Sequence, residues 1–120
     1  MRDRITIKDL LVRAIVGIND DERVNRQDVL INITMWTDVR DAAASDSIDD
    51  AVNYRSVTKQ IIEHVEESQC FLVERLVQEI ADLCLVDRRV HKVEVSVEKP
   101  TALRFARSVG VVVCREREDG

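Results

Sequence analysis

The stretch "KVEVSVE" alternates polar and apolar side chains without a break, which puts Val93, Val95 and Val97 on one side of the chain. "QDVLINITMWTD" behaves alike, with Val29, Ile31, Ile33 and Met35 on one face and Asn32 and Thr34 opposite. A period of two marks a strand with one buried face, so both stretches require an apolar layer on one side only. The remaining sequence can supply it. "RITIKDLLVRAIVGI" reads as a long first strand, bent where its apolar pattern changes phase near Leu10-Leu11, and "SVGVVVCRERE" as a fourth that turns charged. From Ser56 onward, Val57, Ile61, Ile62 and Val65 trace one face of an amphipathic helix. A second helix is predicted over Phe71–Val86, with Leu72, Val73, Leu76, Val77, Ile80, Leu83 and Cys84 in one apolar arc. The order ββααββ predicts an α+β fold, a four-stranded antiparallel sheet with both helices on one face.

The connections are polar. "NDDERVNRQ" is a loop with room for one helical turn at Asp20–Arg23, and "VRDAAASDSIDDAVN" is a capping-rich connection holding a short helical piece. A single sheet of this kind leaves two edges whose backbone groups must be charged, covered or paired, and symmetric self-association is the expected remedy.

Composition sets the class. With 120 residues and 45% hydrophobic content, residues 1–120 are expected to form a single domain with its own core. A net charge of −5, with Trp36, Tyr54, Phe71 and Phe105 the only aromatics, argues against nucleic acid as a partner. No apolar run is long enough to span a membrane, and "MRDRITIKDL" lacks the apolar centre of a signal peptide. Cys70, Cys84 and Cys114 are odd in number and lack CxxC spacing, so reduced thiols in a cytoplasmic protein are expected. His64 and His91 have no carboxylate or thiol at ligand spacing, and no metal is expected. The phosphate-cradling and nucleophile motifs GxGxxG, GxxxxGK and GxSxG are absent.

Against this acidic background, "VEKPTALRFARSVGV" gathers Lys99, Arg104 and Arg107 around Pro100, the only proline. Lys99 is either a solvated charge at a strand end or an amine drawn into a pocket, where it exchanges protons. Glu74, about 60° beyond the apolar arc of its helix, is either a surface acid that complements the helix dipole or a carboxylate anchored in a cleft. There it would accept two N–H groups from a guanidine-like ring edge. Tyr54, the only tyrosine, is either a rim aromatic or a proton relay. Glu22, last of three consecutive acids, is either loop solvation or a pocket carboxylate, with the Gln27 amide close by.

Taken together, "VGINDDERVNRQ", "SDSIDDAVNYRSVTKQI", "FLVERLVQEIA" and "VSVEKPTALRFARSVGV" resemble the dihydroneopterin aldolase and epimerase family, in order and from about Ile5 to Arg117. The resemblance implies the tunnelling fold (T-fold), whose ββααββ subunits join sheet edges into a ring. Two stacked tetramer rings make a homo-octamer with active sites between subunits. It also implies a small-molecule pterin substrate and no cofactor. Glu74 corresponds to the pterin anchor, with Val73 and Leu72 beside it. Lys99 matches the lysine that handles protons. Tyr54, with Val52 and Asn53, comes from the adjacent subunit, and Glu22 stands at the side-chain end of the pocket. Within the family, "ALRFA", "NRQD" and "NYRSVTKQIIEHVE" are similar to the epimerase branch, which inverts C2′ of 7,8-dihydroneopterin triphosphate. In the basic run itself, Arg104 and Arg107 either pair with acids such as Glu98, Glu116 or those of another subunit, or hold the triphosphate. The alternatives are the aldolase activity of folate synthesis, which releases glycolaldehyde, and a non-catalytic pterin-binding ring.

Overall fold

The structure, a computed structural model, describes residues 3–117; the ends of the expected 1–120 domain, and Glu118 in the last predicted strand, lie outside the described residues. Four strands, β1 (Arg4–Ala14), β2 (Gln27–Trp36), β3 (Lys92–Lys99) and β4 (Val109–Glu116), pair in sequence order, each antiparallel to the next. Between β1 and β2 lies α1 (Asp20–Val24). Between β2 and β3 come α2 (Arg40–Ser45), a 3₁₀ turn at Ile48–Asp50, α3 (Tyr54–Glu67) and α4 (Val73–Cys84). The long helices share one face of the sheet, α3 over β1 and α4 over β3 and β4. This is the predicted ββααββ arrangement.

The register explains why one face is dry. Ile33 stands opposite Ile7 and Val95, Val95 opposite Val113, and Ile31 opposite Leu10 and Val97. These rows meet Ile61 and Val65 of α3 and Leu76, Val77, Ile80, Ala81 and Cys84 of α4, all buried. On the other face, Thr6, Lys8 and Glu94 are exposed, and Asn32, Thr34 and Ser96 are half-buried.

The phase change in β1 is a bulge. Pairing with β2 slips between Ile7 and Leu10, so odd-numbered Ile5 and Ile7 and even-numbered Leu10, Val12 and Ala14 all turn towards the helices. Asp9 takes up the extra residue at φ +56°, and its N–H donates to Asn32 Oδ1 at 2.8 Å.

Three boundaries of the long helices differ from the sequence expectation, one of them the end of α4, which stops at Cys84 and not at Val86. α3 starts at Tyr54 because Asn53 Oδ1 accepts the Ser56 N–H at 3.0 Å and caps the helix. α4 starts at Val73, so Leu72 is the extended N-cap residue with a side chain 52% exposed and not a member of the buried arc.

β1 and β4 are both open edges, and Leu11, Val109 and Val112 on them are exposed. The Cα radius of gyration is 15.5 Å, against about 13–14 Å for a compact chain of this length. Among the described residues no helix is long and apolar enough to cross a membrane. Ile31, fully buried at the centre of β2, is the most direct test of the core: Ile31→Ala is expected to lower unfolding free energy by about 2–5 kcal/mol in a urea titration.

Candidate active site

The five-residue helix α1 is too short to hold itself, and its geometry depends on the side chain of Glu22. Glu22 Oε1 accepts from Asn19 Nδ2 at 3.0 Å and from the Asn19 N–H at 3.4 Å. Glu22 Oε2 accepts from Lys99 Nζ at 2.5 Å and from Gln27 Nε2 at 3.2 Å. Gln27 Nε2 also donates to the Val16 carbonyl at 2.7 Å, which fixes its orientation. Lys99, at the last position of β3, is 8% exposed. The strand end thus buries an ammonium, and the loop across the sheet supplies its counter-charge.

The hydrogen bond from Lys99 holds the Glu22 carboxyl below its ordinary value of 4.5; burial opposes the shift, and Gln27 and the Asn19 backbone support it. The carboxylate lies against Gly17, whose φ is +139°. A Cβ placed there would sit 2.2 Å from Glu22 Cδ, so no other residue fits without displacing Glu22. A cavity of about 270 Å³, lined by Asn19, Glu22, Gln27, Thr101 and Ala102 among others, opens beside the carboxylate.

The start of α4 is the second component. Val73 and Glu74 occupy its first turn, where backbone N–H groups lack intrahelical acceptors. Glu74 is exposed and makes no ion pair among the described residues. The segment before it is tied to the Glu22 loop, because the Gly17 N–H donates to the Cys70 carbonyl at 3.2 Å. The Glu22 loop and the segment leading to Val73 and Glu74 are therefore joined by a backbone hydrogen bond, and Lys99 is held to the same loop by its ion pair with Glu22. Leu72 points instead into a separate cavity of about 650 Å³ with Phe71, Arg75 and His64.

Tyr54, Asn53 and Val52 stand apart. Tyr54 is 55% exposed and lines a cavity with Thr58, Lys59 and Ile62 that shares no residue with the one beside Glu22. The Asn53 amide oxygen is engaged as the α3 cap, the Val52 side chain is buried in the core, and the Val52 carbonyl accepts the Tyr54 N–H at 3.0 Å. Arg104 and Arg107 lie exposed in the β3–β4 connection, with the Arg104 guanidinium 5.4 Å from the Phe105 ring centroid and neither in an ion pair among the described residues.

Three contributors escape a reading of the sequence. Asn19 had a signal, since Asn-x-x-Glu is the spacing of a capping box. Gly17 and Arg23 act through tertiary contacts that no local pattern announces. Packing also brings His64, Cys70 and Arg75 onto Glu79: His64 Nε2 lies 2.9 Å from Oε1, Arg75 Nε 2.9 Å from Oε2, and Cys70 Sγ 3.5 Å from Oε1. No group of three or more His, Cys, Asp or Glu among the described residues is arranged to hold a metal ion.

The dihydroneopterin aldolase family profile matches residues 5–114. The chain is 47% identical over 114 residues to a dihydroneopterin triphosphate 2′-epimerase of Pseudomonas aeruginosa, covering 95% of this chain and 93% of that one. It is 42% identical over 113 residues to the enzyme of that name in Escherichia coli K12, with 94% of each covered. The E. coli dihydroneopterin aldolase, solved in complex with neopterin, superposes with a TM-score of 0.90 at 34% identity, covering 94% of this chain and 98% of that one. The sheet and helices accordingly have the tunnelling fold.

Because the folded-state pKa of Glu22 is lowered, the stability its charge contributes is present above 4.5 and lost as pH falls through the lowered value. Glu22→Gln is therefore expected to lower unfolding free energy by about 1.5–3 kcal/mol at neutral pH. In parallel denaturant titrations the gap to wild type closes as the solution is acidified below the carboxylate range.

Proposed function

This chain belongs to the dihydroneopterin aldolase family, and on that premise we propose that it inverts C2′ of 7,8-dihydroneopterin triphosphate, giving the monapterin isomer by a retro-aldol and aldol sequence. The Lys99–Glu22 pair supports this reading most directly. It holds an ammonium nearly out of water beside a carboxylate and next to a polar cavity, and the Gly17–Cys70 backbone hydrogen bond ties its loop to the segment that leads to Glu74. Identity of 47% and 42% to proteins named as epimerases, against 34% to one named as an aldolase, supports inversion over cleavage.

In this proposal Glu74 accepts N–H bonds from the 2-amino group and N3 of the pterin, while the Val73 N–H meets the ring carbonyl. Lys99 passes a proton to Glu22, and the amine so freed takes the proton from the 2′-hydroxyl through a tyrosine relay. The C1′–C2′ bond breaks, its electron pair moves into the C6=N5 imine, and C2′ becomes an aldehyde. The aldehyde then presents its other face, C1′ attacks it, and the proton returns to oxygen. Atoms and electrons balance with the ring as the electron sink.

Tyr54 lies in a different cavity from Glu22 within one chain. We therefore assign the relay to Tyr54 of a neighbouring copy, brought close when the open β1 and β4 edges pair into a ring. Two stacked tetramer rings would complete a homo-octamer.

Retention of the aldehyde separates inversion from cleavage. We assign that role to Arg104 and Arg107, which are unpaired among the described residues and carry guanidinium groups suited to phosphate. Each charge-assisted bond contributes about 1.5–3 kcal/mol, so the loss of one would slow turnover of the triphosphate about 10–10²-fold.

The deciding experiment incubates the protein with dihydroneopterin and with its triphosphate and resolves monapterin from hydroxymethylpterin products. Monapterin triphosphate is the expected main product, and exclusive cleavage of the unphosphorylated compound would reverse the assignment to aldolase. Lys99→Ala should lose about 10²–10⁴-fold in kcat. Arg104→Ala should lose kcat/KM on the triphosphate only, with the unphosphorylated substrate unaffected.

A further inference from the structure

We propose that Arg23 is a positioning residue that fixes the separation between the Glu22–Lys99 pair and the ring-anchoring turn at residues 72–74. The inference rests on the functional reading above and concerns a side chain which that reading leaves unused. Arg23 follows Glu22 directly in α1, so its side chain leaves the helix about 100° around from that carboxylate. Its Nη1 donates to the carbonyls of Gly17 at 3.0 Å and Cys70 at 3.2 Å, and its Nη2 donates to the carbonyl of Gln69 at 2.8 Å. The guanidinium carbon lies 3.9 Å from the centroid of the Phe71 ring. One planar fork thus joins carbonyls from two segments about fifty residues apart and stacks on a ring beside them.

Both segments lead into the site. Gly17 is the backbone against which the Glu22 carboxylate lies, and Gln69–Phe71 runs directly into Leu72, Val73 and Glu74. The Gly17–Cys70 backbone bond reinforces the same junction. Arg23 therefore sets the distance between the place where the pterin ring is gripped and the place where the side-chain proton is handled, and touches neither reacting group. A lysine retains the charge but has neither the planar fork nor a face to lay on Phe71.

For an inverting enzyme this distance has a particular consequence. The ring is held at Glu74 while the bond that breaks lies near Lys99. Slack between the two lets the aldehyde drift from C1′ before the bond reforms. Loosening the junction should convert inversion partly into cleavage.

The test uses the intact protein with Arg23→Lys and Arg23→Ala. Formation of the inverted triphosphate is expected to fall about 10–10²-fold, because a misplacement of about 1 Å can cost about 10²-fold in rate. Hydroxymethylpterin should rise relative to monapterin product, a ratio that a general loss of stability would leave unchanged. Amide hydrogen exchange should quicken at Gly17–Asn19 and Gln69–Val73 while the core of α4 stays protected. Millimolar guanidinium ion should restore inversion to Arg23→Ala and not to Lys99→Ala. If Arg23→Ala does not fold, Arg23→Lys carries the product-ratio and exchange readouts. Wild-type product ratio and wild-type exchange in the folded variants would overturn the positioning role. A wild-type protein that neither inverts nor cleaves would overturn the functional reading, and the exchange measurement would then decide the junction on its own.

Discussion

The ammonium of Lys99 is almost out of water, and an isolated charge at that depth would cost several kcal/mol. Glu22 removes most of that cost, and it does so while closing the turn of helix that carries it. One carboxylate oxygen receives the Asn19 amide and backbone N–H; the other receives Lys99 and the Gln27 amide. A helix of five residues would otherwise be marginal. The pair thus does local and long-range work together, ordering the β1–β2 connection and the end of β3 through a single side chain. Its geometry also requires the bare backbone of Gly17. Few substitutions in this loop can be independent of one another.

A second junction lies on the other side of the 68–72 turn. Glu79 in α4 receives Arg75 from its own helix and lies within reach of His64 of α3 and the Cys70 thiol. These contacts hold the Glu79 carboxyl below its ordinary value against the opposing effect of burial, and burial pushes the Cys70 thiol up. The turn that delivers Val73 and Glu74 is therefore gripped from Arg23 on one side and Glu79 on the other. A backbone segment without regular structure is held in this way by side chains from two other parts of the chain.

The fold was legible because burial imposes periods. Val93, Val95 and Val97 had to face one way, and the change of phase near Leu10-Leu11 indicated a bend in β1, which the structure resolves as a bulge at Asp9. Lys99 and Glu22 were each visible as candidates, and Gln27 as a neighbour, but their meeting across 77 residues was not. Arg23 was silent for a related reason. It binds carbonyl groups, which every residue carries, so nothing in the sequence marks its partners. Leu72 shows the opposite error: helical spacing placed it in the apolar arc, yet the helix begins one residue later and leaves it half outside. Periodicity identifies faces and does not fix ends.

The bulge in β1 has a consequence beyond keeping its apolar side chains on one side. An extra residue in one strand of a pair bends that strand and steepens its twist. Because β1 lies at a margin of the sheet, the bend falls on an edge that no other strand among the described residues covers. Any strand laid along this margin would have to follow the same bend, which narrows the shapes that can extend the sheet.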